Sequence, residues 1–193
     1  MERELVAVWV GRTKDATSST KERQAWDEAR RAQQPETRKG SRRTMDITWL
    51  TDRIAVGGGI WNSENMARVA RAGITHIIDM QIEFDDTPLA AERGIEVLWN
   101  PTDDDFELKP VEMFQRGVTF AQAALDVADA KVFIHCAAGV HRAPMMALAV
   151  LGSMGWNLDD AKQLIEVRRP VADFADVYVE SVERYLEERD SKR

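Results

Sequence analysis

Cys136 is the one cysteine among 193 residues, and five positions separate it from Arg142, with Gly139 between them. A thiolate is a strong nucleophile, and the thiol pKa falls from about 8.5 to somewhere between ~3.5 and ~7.5 beside cations or a helix N-terminus. Arginine offers a planar fork of N–H donors that matches two oxygens of a phosphate. Gathered around one phosphoryl group, the two residues could form a sulfur–phosphorus bond and a phosphocysteine intermediate.

The neighbouring residues supply the means of holding that pair. Val132-Phe133-Ile134 is an apolar run that predicts a buried strand over 131–135. Three apolar positions in succession imply that both faces of the strand are covered. Pro144 suits the first turn of a helix, which does not need its N–H, and a helix is expected over about 142–154. The loop between them would run from a strand's C-terminal end into a helix N-terminus, where unpaired amides and the helix dipole favour an anion. Gly139 fits a cradle that needs positive φ and close backbone approach.

The stretch HCAAGVHR, His135 to Arg142, resembles the His-Cys-x-x-Gly-x-x-Arg signature of the cysteine-dependent protein tyrosine phosphatases, and its size and surroundings are similar to their small dual-specificity branch. The likeness covers roughly residues 46–188 and includes Arg168-Arg169-Pro170, similar to the arginine-proline segment near the end of those domains. It implies an α/β fold with a central four- to five-stranded, mostly parallel sheet flanked by helices. It implies Cys136 as nucleophile, Arg142 as the residue that binds phosphate and stabilises the transition state, and His135 behind the loop as support for the thiolate. The backbone of Ala137, Ala138, Gly139, Val140 and His141 would complete the phosphate cradle with Arg142. The implied reaction is hydrolysis of phosphotyrosine, with phosphoserine and phosphothreonine as further substrates, and the implied partner is a phosphoprotein or a small aryl phosphate.

Ester cleavage leaves an alkoxide or phenoxide, and a positioned acid that protonates it contributes about 10²–10⁴-fold. Asp103-Asp104-Asp105 offers carboxylates in a loop after a strand expected at 95–99. By the resemblance, the acid precedes a long helix; Asp104 stands 32 residues before Cys136, and aligning Phe114-Gln115-Arg116 with its family counterpart selects the same residue. Asp103 and Asp105 stay open as alternatives. The chain departs from the family pattern at Ala143, where many members carry a hydroxyl that helps the thiolate leave. Slow turnover with accumulation of phosphocysteine is the expectation. Ala143 also favours a second reading, a phosphate-recognition module with little turnover. A rhodanese-like sulfurtransferase is a third, against which stand the spacing to Arg142 and the Asp loop. Ala137, Ala138 and Val140 are uncharged, which points to protein or aryl phosphates rather than inositol phosphates. No metal or cofactor is called for, since loop and arginine supply the electrostatics.

With 44% apolar residues, the chain suits one globular domain plus an appendage. Residues 1–44 carry 11 Lys/Arg against 7 Asp/Glu, and residues 45–193 carry 15 against 26. The acidic body argues against a broad nucleic-acid surface. The division expected is a polar N-terminal extension, 1–44, and a catalytic-type domain, 45–193. In the extension, Leu5–Val10 reads as a short strand, and a polar helix starts at the capping box Ser19-Thr20-Lys21-Glu22 and ends at Pro35. One cysteine excludes an internal disulfide, and no apolar run approaches the ~20 residues that span a bilayer. A reducing, cytoplasmic setting is the default. Elsewhere strands are expected at 53–56 and 75–80. Helices are expected at 63–72 with Ser63 as N-cap and Gly73 beyond its end, at 158–168, and at 173–188 with Phe174, Tyr178, Val182 and Tyr185 in period. Residues 110–128 form a strong helical pattern, with Val111, Phe114, Val118, Ala121 and Leu125 on one stripe. Gly57-Gly58-Gly59 reads as a turn, since position 62 is Asn and no dinucleotide fingerprint follows. Oligomeric state is open.

Overall fold

The computed structural model of the chain describes residues 44–192. The strand and helix expected in the N-terminal extension lie outside those residues. Five strands form one sheet: β1 (Ile47–Trp49), β2 (Ile54–Gly57), β3 (His76–Asp79), β4 (Glu96–Trp99) and β5 (Val132–His135). Their order is β1-β2-β5-β3-β4, with β1 antiparallel to β2 and every other pairing parallel. The helices are α1 (Ser63–Arg71), α2 (Thr87–Ala91), α3 (Val111–Asp126), α4 (Arg142–Ser153), α5 (Leu158–Arg168) and α6 (Asp176–Ser191). The α/β fold with a mostly parallel sheet that the family resemblance implies is what the chain forms.

β5 sits at the centre of the sheet, flanked by β2 and β3, and all four of its residues are buried. Its side chains alternate between two hydrophobic clusters, as a period of two requires. Val132 and Ile134 join Ile54, Val56 and Ile78 in the cluster that also holds Phe114, Val118, Leu148, Val150 and Tyr185. Phe133 joins Ala55, Ile77, Met66 and Val69 on the opposite face. Burying a large apolar side chain contributes roughly 1.5–3 kcal/mol, so a strand covered on both faces is the rigid base on which the following loop is built.

The amphipathic stripe of α3 is real but shifted. Phe114, Val118 and Ala121 are buried together with Met113, Gly117 and Ala124, whereas Val111 and Leu125 are only partly covered. α1 is capped by Asn62, not by Ser63: the Asn62 side chain accepts the Asn65 N–H at 2.9 Å. Two adjacent residues of good capping type compete there, and the outer one has the extended backbone a cap needs. Gly73 follows the helix with φ of 81°, as expected. α6 begins at Asp176, so Phe174 precedes it, though Phe174 is still buried. β1 and the five-residue α2 were not foreseen, because elements that short carry no period.

Candidate active site

Cys136 follows β5 directly and is 1% exposed. Its Sγ accepts the N–H of Gly139 at 3.2 Å. The carbonyl oxygens of the four residues after it are all drawn away by other segments. Ala137 O accepts the N–H of Gly59 at 3.1 Å and Val140 O accepts that of Asp173 at 2.9 Å. Gly139 O accepts Arg169 Nε at 2.6 Å, and Ala138 O accepts Arg169 Nη2 at 3.2 Å. In a planar trans peptide the N–H points opposite to the C=O. Outward carbonyls at 137–140 therefore leave the amides of Ala138, Gly139, Val140 and His141 turned inward, over the sulfur. Gly139 has φ of 66°, and a Cβ there would come within 2.5 Å of Gly57 O and closer still to the Arg169 guanidinium. The triglycine run thus serves close approach as well as turning, since Gly57 and Gly59 pack against the loop.

Arg169 holds the loop from beneath. Its guanidinium is 3% exposed on the side chain, bonds both oxygens of Asp46 at 2.9 and 2.7 Å, and reaches Thr48 Oγ1 at 3.0 Å. The Arg169 hydrogen bond holds the Asp46 carboxyl below its usual range, against the opposing effect of partial burial. One arginine thus ties the loop to the segment that enters β1.

Arg142, the first residue of α4, is 3% exposed. Nη1 and Nη2 meet the two oxygens of Glu83 at 3.0 and 2.9 Å, and Nη1 also donates to the carbonyl of Thr102 at 3.0 Å. Burial works against the charge on Arg142, but Glu83 outweighs it and raises its pKa. Conversely, burial would raise the Glu83 carboxyl, and the Arg142 fork overcomes this and holds it low. Among the described residues, Arg142 Nε is buried without a hydrogen-bond partner.

The three aspartates of the acidic loop part company. Asp104 places Oδ2 3.0 Å from His141 Nδ1 and 3.8 Å from Arg142 Nε, and Oδ1 accepts from the Tyr178 hydroxyl at 3.0 Å. Tyr178 in turn accepts the N–H of Phe106 at 3.0 Å and stacks on that ring. Burial, followed by the Asp104 carboxylate, pushes the Tyr178 phenol up to about 12, although the Phe106 amide opposes this. Asp105 is turned aside into a pair with Lys109, and Asp103 is exposed, as its two neighbours are. Phe106 packs edge-on against His141, with ring centres 5.2 Å apart, and Asp173 Oδ2 lies 3.4 Å from its Nε2.

His135, the last residue of β5, is fully buried on the opposite face of the sheet from Cys136. Its Nε2 lies 3.1 Å from Asp86 Oδ2 and 3.7 Å from Asp79 Oδ1. Burial raises the Asp79 carboxyl to about 6, with His135 working the other way. These three residues offer ligand atoms within 4.8 Å of one another, a cation-sized grouping. Both Asp79 oxygens already accept backbone N–H groups, from Gln81 at 2.9 Å and from Asp86 at 3.2 Å, whereas among the described residues both Asp86 oxygens and both His135 ring nitrogens are buried without a hydrogen-bond partner.

Sequence reading missed Glu83, Asp46, Asp79, Asp86 and Tyr178, and saw Arg169 only as part of a familiar segment. Each acts through a partner distant in sequence. Only for Asp79 was there a faint signal, a charged residue ending an otherwise apolar strand.

A central parallel strand that delivers a buried thiol into a bowl of inward amides, with an arginine at its rim, defines the cysteine-dependent phosphatase superfamily. Residues 60–186 match the family model described as dual specificity phosphatase, catalytic domain, and the chain belongs to that family. Among solved structures it is similar to PTPMT1 in complex with PI(5)P (18% identity, TM-score 0.68, covering 76% of this chain and 97% of that one). It is also similar to Tk-PTP in its active form (25%, TM-score 0.64, 75% and 97%) and to human DUSP28 (20%, TM-score 0.62, 75% and 95%). A search of curated proteins gives no match. Among the described residues, no helix is long and apolar enough to cross a membrane.

Proposed function

We propose that the chain is a protein phosphatase that hydrolyses phosphotyrosine, with phosphoserine and phosphothreonine as further substrates, through a phosphocysteine on Cys136. The observation that carries this reading is the set of four outward carbonyls, which turns the loop's amides over a buried sulfur. A phosphate seated on those amides and on Arg142 Nε would face Cys136 Sγ. Sulfur attacks phosphorus, the ester oxygen leaves, and Asp104 gives it a proton. Asp104 then takes a proton from water as that water attacks the phosphocysteine, which releases inorganic phosphate and returns the thiolate and the protonated acid. Asp104 is preferred to its neighbours because it alone of the three borders both His141 and Arg142, while Asp105 is occupied by Lys109. The cradle is formed by Ala137, Ala138, Gly139, Val140 and His141, and no metal takes part in these steps.

A monoester on a protein fits the uncharged side chains of Ala137, Ala138 and Val140 better than a polyphosphorylated headgroup does. The cations near the loop are already engaged, Arg142 by Glu83, Arg169 by Asp46 and Lys109 by Asp105. PTPMT1 has been solved with PI(5)P, so a phosphoinositide is the lipid substrate to test beside peptides. The test is a panel of phosphotyrosine, phosphoserine and phosphothreonine peptides with phosphoinositides, and Cys136→Ser as control. Release of phosphate from phosphotyrosine peptides that is abolished in the variant is the expected result; activity confined to phosphoinositides would overturn the substrate assignment. The second reading, a recognition module, is favoured by Ala143, which is buried at the start of α4 and has no hydroxyl. Tight binding of phosphopeptide without turnover by the parent would select it. A free thiol at the centre of the site favours a reducing compartment, and we place the protein in the cytoplasm.

A further inference from the structure

We propose that Asp86 and Asp79 are positioning residues that act on Cys136 through His135; the inference rests on the reading of Cys136 as the nucleophile. His135, Asp79 and Asp86 are each 0% exposed. Asp79 and His135 end adjacent parallel strands in register and project from the same sheet face. Asp86 stands at the N-cap position of α2, where an aspartate ordinarily accepts the helix's free amides. It makes no such bond. Its carboxylate instead turns inward to the imidazole, with Oδ2 3.1 Å from Nε2, and among the described residues neither its oxygens nor the two ring nitrogens have a hydrogen-bond partner.

A buried carboxylate without compensation is costly. Asp79 offers none, since it is itself acidic and its oxygens are taken by the Gln81 and Asp86 amides. The group in reach that can carry the compensating charge is His135. A charged imidazole there sits one residue behind the thiol, while Arg142 and the loop amides face the thiol from the front. The Asp79 carboxylate also braces residues 81–86, the segment that carries Glu83 to Arg142. One buried cluster thus supports the phosphate site from two directions. The charged or titratable groups facing Cys136 are Arg142 from α4, with Asp104 and Glu83 behind it. Those facing His135 are Asp79 from β3 and Asp86 from the start of α2; β2 presents Gly57 beside it.

Because the chain has one cysteine, iodoacetate alkylation against pH reports Cys136 alone and needs no turnover. Asp86→Asn is expected to raise the pH of half-maximal alkylation by about one unit, which is about tenfold less thiolate at a fixed pH below the midpoint. His135→Gln should do the same, and the double variant should add nothing further, since both act through one charge. Asp86→Glu should recover part of the parent behaviour. A midpoint that stays or falls in Asp86→Asn, or additive shifts in the double variant, would overturn the proposal, as would a stoichiometric divalent metal in the purified protein. Should Asp86→Asn fail to fold, Asp79→Asn compared with His135→Gln decides by the same midpoints. A purely structural role would lower the melting temperature and leave the midpoint in place. A parent that alkylates as described but does not hydrolyse p-nitrophenyl phosphate would defeat the proposed function while leaving the cluster's effect on the thiol measurable.

Discussion

Arg169 stands thirty residues beyond Gly139 in the chain, and its Nε donates to the Gly139 carbonyl at 2.6 Å. With Nη2 on Ala138 O, the guanidinium turns two of the loop's carbonyls away from the sulfur. Arg169→Met should release them and strand Asp46. Breaking a buried, hydrogen-bonded ion pair costs on the order of 3–5 kcal/mol, and the half-exposed Asp46 places this case at about the lower end. The expected outcome is a lower melting temperature together with at least about a tenfold fall in kcat/KM on p-nitrophenyl phosphate. Asp46→Asn tests the other partner. Because the Asp46 carboxyl is held low in the folded chain, its stabilising effect is present above the unfolded pKa and lost as pH falls through the folded one. Parent and variant should therefore converge in acid and separate toward neutrality in urea titrations.

Glu83→Gln removes the carboxylate that clamps Arg142 and keeps a side chain of the same shape. Arg142 then loses its fixed orientation. A rise in KM of about tenfold with a smaller change in kcat is expected, measured by initial rates on an aryl phosphate and by inhibition with inorganic phosphate.

The three loop aspartates separate by substitution. Asp104→Asn should lower kcat by about 10²–10³-fold on a substrate with a poor leaving group, and by less on p-nitrophenyl phosphate, whose phenoxide needs little protonation. Asp103→Asn and Asp105→Asn should stay within about threefold of the parent.

Ala143→Ser restores a hydroxyl at the first turn of α4. The parent should show a burst in rapid-quench experiments, the sign of an intermediate that forms faster than it breaks down. The variant should show a smaller burst and a steady-state rate about tenfold higher.

Asp79 gives a pH dependence of the opposite sense to Asp46. Burial raises its carboxyl to about 6 in the folded chain, so folding favours the protonated form. Its contribution is fully present below the unfolded pKa of about 4 and declines as pH rises to about 6. At neutral pH the loss amounts to about 3 kcal/mol at most. Urea midpoints of parent and Asp79→Asn between pH 4 and pH 7 should diverge, with the flatter profile in the variant.

Much of this architecture could be read from the residues because the informative patterns are local. Val132-Phe133-Ile134 declares a buried strand by apolarity alone, and α3 declares itself by recurrence at three and four. The loop signature is local too, since thiol, glycine and arginine lie within seven consecutive residues. What stayed hidden is carried by side chains that meet across the fold. Glu83, Asp79 and Asp86 look like ordinary acids around a turn until β3 is set beside β5. Arg169 looks like a solvated helix end until Asp46 is brought to it from 123 residues away. β1 was invisible because three half-covered residues hold no period, and its place depends on β2 having an edge to offer.

That small edge strand sets a limit on how the molecule can be shortened. A protein trimmed to begin at Leu50 would keep HCAAGVHR, the helices and four of the strands, yet it would lack Asp46 and Thr48, the anchors to which Arg169 is moored. Its thiol would remain while the mooring beneath it was gone. Recombinant versions meant for kinetics should begin no later than Met45.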